Sequence, residues 1–184
     1  MTKHGVRLAN LSDLEYIESL SRKEAKSIGF IPNIAYKSAI VGERVSVNRW
    51  SKTCNDKLFV CEENGDLVGF ALFSYGKRPK VNQICIQADA RMIERGKGLL
   101  SCGINHGVSS VFRKTFICGC ADDLESNKFW NAVGWVKIGE RKGISHTNTW
   151  KETSDRKVNI YSYNVDGKYL IQKPLFNLQE IFIK

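Results

Sequence analysis

Apolar residues alternate strictly with others across 81–88: Ile84, Ile86 and Ala88 fall on one side, Gln83, Cys85 and Gln87 on the other. That period of two predicts a strand. The period lengthens downstream, where Leu100, Ile104, Val108, Val111 and Phe112 form one stripe of an amphipathic helix. Upstream, a strand over 6–9 runs into a helix whose start matches a capping box, Ser12 to Glu15, with Leu11 placed to staple onto Tyr16. Leu14, Ile17 and Leu20 continue that helix, and a second is predicted over 34–41. Two apolar runs, 57–62 and 67–75, flank Asn64-Gly65, the strongest short hairpin signal. Residues 115–120 read as a buried strand. A helix capped by Asp122 or Asp123 then passes through Phe129 and Trp130 and stops at Gly134. Closing strands over 135–140 and 157–165 enclose a polar loop, 141–156, and a short helix is predicted over 174–184 behind Pro174. The order β-α-α-β-β-β-α-β-α-β-β predicts an α/β chain, with a central mixed sheet and helices on both faces.

The 184 residues carry no repeat, low-complexity tract or Pro/Gly/Ser-rich linker, so one domain is expected over 1–184, with a core at about 5–165 and an extension over 166–184. With 42% hydrophobic and 26% charged residues the chain is globular rather than disordered. No apolar run reaches the roughly 18–20 residues that span a bilayer, and the first residues lack a secretory pattern. A cytoplasmic protein without a membrane partner is the expectation. Cys54, Cys61, Cys85, Cys102, Cys118 and Cys120 form no Cys-x-x-Cys pair, so reduced packing thiols are expected and no metal site. The net charge of +9 favours acidic partners, whether a phosphorylated cofactor, a nucleic acid or an acidic protein face.

One segment narrows that choice. Arg95-Gly96-Lys97-Gly98-Leu99-Leu100-Ser101 lies after a strand and before the long amphipathic helix. The first N–H groups of a helix have no internal partner, and the helix dipole adds positive potential there. Gly96 and Gly98 permit close approach of an anion, and Arg95 and Lys97 add charge. A pyrophosphate suits such a turn.

On these residues the chain resembles the GNAT superfamily of N-acetyltransferases, whose signature is Gln/Arg-x-x-Gly-x-Gly/Ala between the fourth strand and third helix. Arg95, Gly98 and Leu100 take the fixed positions, Leu100 standing where Gly or Ala is usual. Val6-Arg7-Leu8-Ala9 with Asp13-Leu14-Glu15 is similar to the superfamily's start, and the hairpin over 59–73 to its second and third strands. Asn127-Lys128-Phe129-Trp130-Asn131-Ala132-Val133-Gly134-Trp135 is similar to its Asn-x-x-Phe-Tyr-x-x-x-Gly-Phe segment. The resemblance covers about residues 5–140 and implies a GNAT-like acyl-CoA N-acyltransferase fold using acetyl-CoA or another acyl-CoA. It implies that Ile86, Gln87 and Ala88 bind the pantetheine arm in a gap between splayed strands and supply an N–H donor to the reacting carbonyl. Arg95, Gly96, Lys97, Gly98, Leu99 and Leu100 would hold the pyrophosphate, with Asn127 and Trp130 beside the cofactor. A substrate amine would attack the thioester directly.

Proton transfer is less well marked. Trp130 stands where many members keep a Tyr acid, and an indole lacks useful acidity. The catalytic candidates are Asp122, Asp89 and His106, with Asp123 and His146 behind them. Asp122 and Asp123 also read as helix caps, and His106 as a surface or packing residue. The acceptor is a small-molecule or macromolecular amine, and neither it nor the oligomeric state is fixed. Two other readings stay open. Cys120-Ala121-Asp122-Asp123-Leu124 with Phe129-Trp130, Asp89-Ala90-Arg91 and Arg156-Lys157-Val158-Asn159-Ile160 resemble phage GNAT-like proteins of the Mom type, which modify adenine in DNA. Net charges of +4 over 91–114 and 137–173, with Trp150 or Tyr161 for base stacking, suit nucleic acid. A degenerate GNAT domain that only binds a partner is the third reading.

Overall fold

The computed structural model describes residues 4–43, 45–47, 50–52, 55–108, 114–144 and 153–165. The expectations at Cys54, Val111, Phe112, His146 and Trp150, and the helix over 174–184, lie outside the described residues.

Strand β1 (His4–Leu8) leads into a 3-10 turn, Leu11–Asp13, and then α1 (Leu14–Lys23). The capping box is Asn10 with Asp13, not Ser12 with Glu15. The Asn10 side chain accepts from the Ser12 N–H at 2.9 Å, and the Asp13 carboxylate accepts from the Asn10 N–H at 2.7 Å. Asn-x-x-Asp satisfies the same two donors reciprocally, and Arg7 fixes Asp13 in place at 2.6 Å. Leu11 is left exposed. A short α2 (Ala25–Ile28), which the sequence pattern did not reveal, precedes α3 (Asn33–Val41). Next come β2 (Val45–Val47) and β3 (Trp50–Lys52), which form a separate two-stranded sheet.

The hairpin β4 (Asp56–Glu63) and β5 (Asp66–Ser74) turns at Asn64 (φ 53°) and Gly65 (φ 97°), the left-handed pair such a turn requires. β6 (Lys80–Ile86) ends earlier than the alternation implied, because Gln87 and Ala88 leave the strand for a 3-10 turn, Ala88–Ala90. Next come α4 (Ile93–Val108), β7 (Thr115–Ala121), α5 (Ser126–Ala132), β8 (Val136–Ile144) and β9 (Thr153–Asn164). β8 and β9 reach far into the segment expected to be a polar loop. They form a hairpin at the sheet's edge, where solvent-facing strand positions are polar too. α5 closes with a full Schellman motif: Trp135 N–H donates to the Trp130 carbonyl and Gly134 N–H to that of Asn131, with Gly134 at φ 80°.

The main sheet runs β1-β4-β5-β6-β7-β9-β8, antiparallel except for the parallel β6–β7 neighbours joined through α4. It is covered on both faces. On one face Ile17, Leu20 and Tyr36 of α1 and α3 cluster with Val60, Phe70 and Leu72 of the sheet, and on the other Leu99, Leu100 and Trp130 of α4 and α5 cluster with Phe59, Phe73 and Phe116. Burial on two sides explains why β4 and β5 read as near-continuous apolar runs. α4 lies close on the sheet through glycine: a Cβ at Gly103 would stand 2.2 Å from the Phe73 ring, and one at Gly107 would stand 2.0 Å from Tyr75.

Candidate functional site

β6 and β7 meet and then part. Their one ladder pair among the described residues is Lys80 with Ile117, supported by the Ile117 N–H donated to the Pro79 carbonyl at 3.1 Å. β7 instead pairs along its whole length with β9, from Thr115–Asn164 to Ala121–Val158, and follows that strand away from β6. The wedge between them opens into a cavity of about 600 Å³. Its walls are Ile84, Cys85 and Ile86 of β6 and Cys118, Gly119 and Cys120 of β7. Met92, Ile93 and Gly96 bring the first turn of α4 to one side, and Ser126, Phe129 and Trp130 bring α5 to the other. Glu24, Ser27 and Ile28, around the junction of α1 and α2, form part of the lining.

The segment expected to be a phosphate-binding turn is helical. α4 begins at Ile93, so Arg95, Gly96, Lys97 and Gly98 occupy its first two turns. Its unbonded N–H groups therefore belong to residues at and just before Arg95, not to the glycines. The glycines accept neighbours instead: a Cβ at Gly96 would sit 2.6 Å from the Phe129 ring, and one at Gly98 would touch Val6. Arg95 is directed away from the cavity. Its side chain is 10% exposed and donates to the Glu63 carboxylate and the Ala90 carbonyl. Leu99 and Leu100 are core. Leu100, at the motif's third position, thus packs the helix onto the sheet rather than facing the cavity.

Of the other expected cofactor residues, Ile86 and Trp130 line the cavity, and Gln87, Ala88 and Asn127 do not. Gln87 accepts a hydrogen bond from the Tyr16 hydroxyl at 3.1 Å. Asn127 instead ties the turn before α5 to β9, and neither Asp122 nor Asp123 is the N-cap of that helix. Its amide donates to the Ala121 and Leu124 carbonyls at 2.7 Å each, while its oxygen accepts from Asn159 at 2.9 Å and Tyr161 at 3.0 Å. The N-cap of α5 is Glu125, without a side-chain cap bond. Trp130 is buried, its ring 4.9 Å from that of Trp135 and stacked 6.3 Å from that of Tyr161. Tyr161 is itself buried, so it presents no free face for stacking a base.

The structure does not bring the catalytic candidates together. Asp89 and Asp122 are exposed and outside the cavity lining. His106 sits on the C-terminal half of α4 against the Phe59 and Tyr75 rings, where burial and then Lys57 lower its pKa. Asp123 does line the cavity, as does Glu125. Sequence reasoning missed Glu24, which lines it too, with a side chain only 13% exposed. Nothing in the periodicity of α1 marked it: its position follows from the break between α1 and α2, where Glu24 is C-cap of one and N-cap of the other. The five described cysteines are buried and form no disulfide with one another. Among those lining the cavity, burial pushes the Cys85 thiol up to about 12 and that of Cys118 further still. The Cys120 sulfur lies 3.1 Å from the Ser126 hydroxyl. No group of three His, Cys, Asp or Glu among the described residues is arranged to hold a metal ion. No described helix is long and apolar enough to cross a membrane.

An acetyltransferase of the GNAT family from Bacillus cereus superposes with a TM-score of 0.62 at 15% identity, over 88% of this chain and 97% of that one. The fold is the GNAT fold. The ribosomal-protein-S18-alanine N-acetyltransferase of Escherichia coli matches at 0.61 and 12% identity, over 89% and 94%. The structure of yncA from Salmonella typhimurium, which holds its cofactor acetyl-CoA, matches at 0.65 and 13%, over 89% and 94%. No family model matches the sequence, and no curated protein matches it either. The GNAT likeness thus rests on architecture.

Proposed function

We propose that the chain is an acyl-CoA-dependent N-acyltransferase that moves an acetyl or similar acyl group onto an amine. The observation that carries this reading is the wedge between β6 and β7, set beside the first turn of α4 within a GNAT fold. The residues fit the group. Beyond Lys80, the β6 edge is free of strand pairing to β7 and offers backbone N–H and C=O groups to an extended pantetheine arm. The start of α4 offers unbonded N–H groups to a pyrophosphate. The fit differs from the motif in one respect, since Arg95 is already committed to Glu63.

When bound, acyl-CoA supplies the thioester whose acyl carbon the amine attacks, forming an amide and releasing the thiol. The chain's own part is to hold the two reactants together and to remove the amine proton. Glu24 is the most shielded of the carboxylates lining the cavity, and we assign it the amine side of the site. Trp130 narrows the wedge without offering an acidic proton.

The DNA-modifying reading finds less support. Of the five basic residues expected to form a patch over 91–114, Arg91 pairs with Glu24, Arg95 with Glu63, and Lys114 donates to the Val108 carbonyl. Calorimetric titration with acetyl-CoA tests the proposal. Micromolar binding supports it; no heat up to millimolar ligand overturns it.

A further inference from the structure

Arg91 and Arg95 both stand near the start of α4, yet their surroundings differ. Arg95 is 10% exposed and tied to Glu63 and the Ala90 carbonyl. Arg91 lies two residues before Ile93, lines the cavity and is 55% exposed. Its guanidinium makes two contacts at the cavity, one to the α1–α2 junction and one to the end of β6. Nη2 donates to the Glu24 carboxylate at 2.5 Å, and Nε donates to the Ile86 carbonyl at 3.2 Å. Ile86 is the last residue of β6.

We propose that Arg91 is the side chain that binds the phosphates of the acyl donor, and that Glu24 competes with them for it. This rests on the acyl-CoA reading above. An ion pair with one partner this exposed is weak, because water screens it and competes for both groups. A phosphate beside a helix start offers the guanidinium a more highly charged, bidentate acceptor. Exchange is therefore favoured, and it has two consequences at the site. The Ile86 carbonyl is freed for an amide of the pantetheine arm. The Glu24 carboxylate is freed for the amine, so donor binding prepares the acceptor side.

The test is calorimetric titration of the full chain with acetyl-CoA, and displacement of acetyl-CoA by S-acetylpantetheine, which has the same thioester arm without phosphates. Arg91→Ala is expected to weaken acetyl-CoA about tenfold while leaving acetylpantetheine within about twofold. Arg91→Lys is expected to recover part of the loss, and Glu24→Gln to tighten acetyl-CoA by about two- to fivefold. Unchanged acetyl-CoA affinity in Arg91→Ala would overturn the inference. So would equal weakening of both ligands, which would mean that Arg91 only supports the Ile86 carbonyl, or weaker binding by Glu24→Gln. In each of those cases wild-type binding of acetyl-CoA still upholds the acyltransferase reading; wild-type failure to bind overturns both.

Discussion

The phenol of Tyr36 donates a 2.6 Å hydrogen bond to the side-chain oxygen of Gln83, joining α3 to the strand that walls the cavity. The relay extends both ways. The Ser21 hydroxyl lies 2.6 Å from the same phenol, and the Gln83 amide donates to the Gly29 carbonyl at 2.8 Å. Ser21, Tyr36 and Gln83 are all buried, so each bond lost leaves a polar group unpaired away from water. Tyr36→Phe keeps the ring against Phe70 but removes the hydroxyl. It is expected to destabilise the fold by about 2 kcal/mol in urea titration. A change below about 0.5 kcal/mol would show that water or a neighbour replaces the phenol.

The same reasoning about buried polar groups gives a pH dependence at the other end of α1. Burial alone would raise the pKa of Asp13, but the Arg7 guanidinium and the Asn10 N–H bond the carboxylate and bring it below its ordinary value. A carboxylate depressed in the folded state contributes stability above its unfolded pKa, and that contribution is lost as pH falls through the folded value. Asp13→Asn is therefore expected to destabilise the protein by about 2–3 kcal/mol at pH 7. The gap between variant and wild type should narrow below about pH 4, where the carboxylate begins to protonate in the unfolded chain while the folded one stays ionised. Denaturation midpoints measured from pH 7 to pH 3 check both the size and the narrowing.

Close packing of α4 makes a third prediction. A methyl at Gly107 would stand 2.0 Å from Cε1 of Tyr75. The Tyr75 ring cannot simply swing aside: its hydroxyl donates to the Gly103 carbonyl at 2.6 Å, and it stacks on Phe73. Alanine favours a helix over glycine by about 1 kcal/mol, whereas overpacking a core costs about 1–3. With the ring pinned at both ends, Gly107→Ala is expected to lower the melting temperature despite the propensity gain. A raised melting temperature would show that the sheet yields.

How much of this was legible in the sequence depends on whether the information was local. The Asn64-Gly65 hairpin, the alternation around Gln83 and Cys85, and the Gly134 stop each express a short-range rule, and each is found where the sequence put it. The boundary of α4 was misplaced by a local rule too, since Gly96 and Gly98 suggested a loop while their missing Cβ atoms make room for Phe129 and Val6 across the fold. The capping box sits at Asn10 because the Asp13 carboxylate accepts from the Asn10 N–H. Arg7, six residues before Asp13, holds it there, a side-chain pairing that the Ser-x-x-Glu pattern passes over. The cavity lining was the least legible. Glu24, Arg91 and Trp130 converge from three separate elements through the parting of β6 and β7, and no spacing along the chain encodes that convergence. The likeness to GNAT proteins supplied the gap in advance, though not the pairing of Arg95 with Glu63.

Thiol reactivity probes both faces of the sheet at once. Burial pushes Cys85 up to about 12, and Cys61 and Cys102 up to about 11. The thiolate is the nucleophile, so at pH 8 these rises leave about one part in a hundred of its ordinary population at Cys61 and Cys102 and about one part in a thousand at Cys85. In the native protein all three cysteines are expected to react with iodoacetamide at least a hundredfold more slowly than in urea, read by mass spectrometry of the alkylated peptides. Cys85 differs from the others in lining the cavity, so reagent can reach it once it ionises. Raising the pH from 8 to 10 should therefore speed Cys85 more than Cys61 or Cys102, and saturating acetyl-CoA should remove that difference. Equal acceleration of all three would mean that opening of the fold, rather than entry into the wedge, governs access. Fast alkylation of Cys85 at pH 8 would contradict its burial among Leu72, Phe70 and the α1–α3 face.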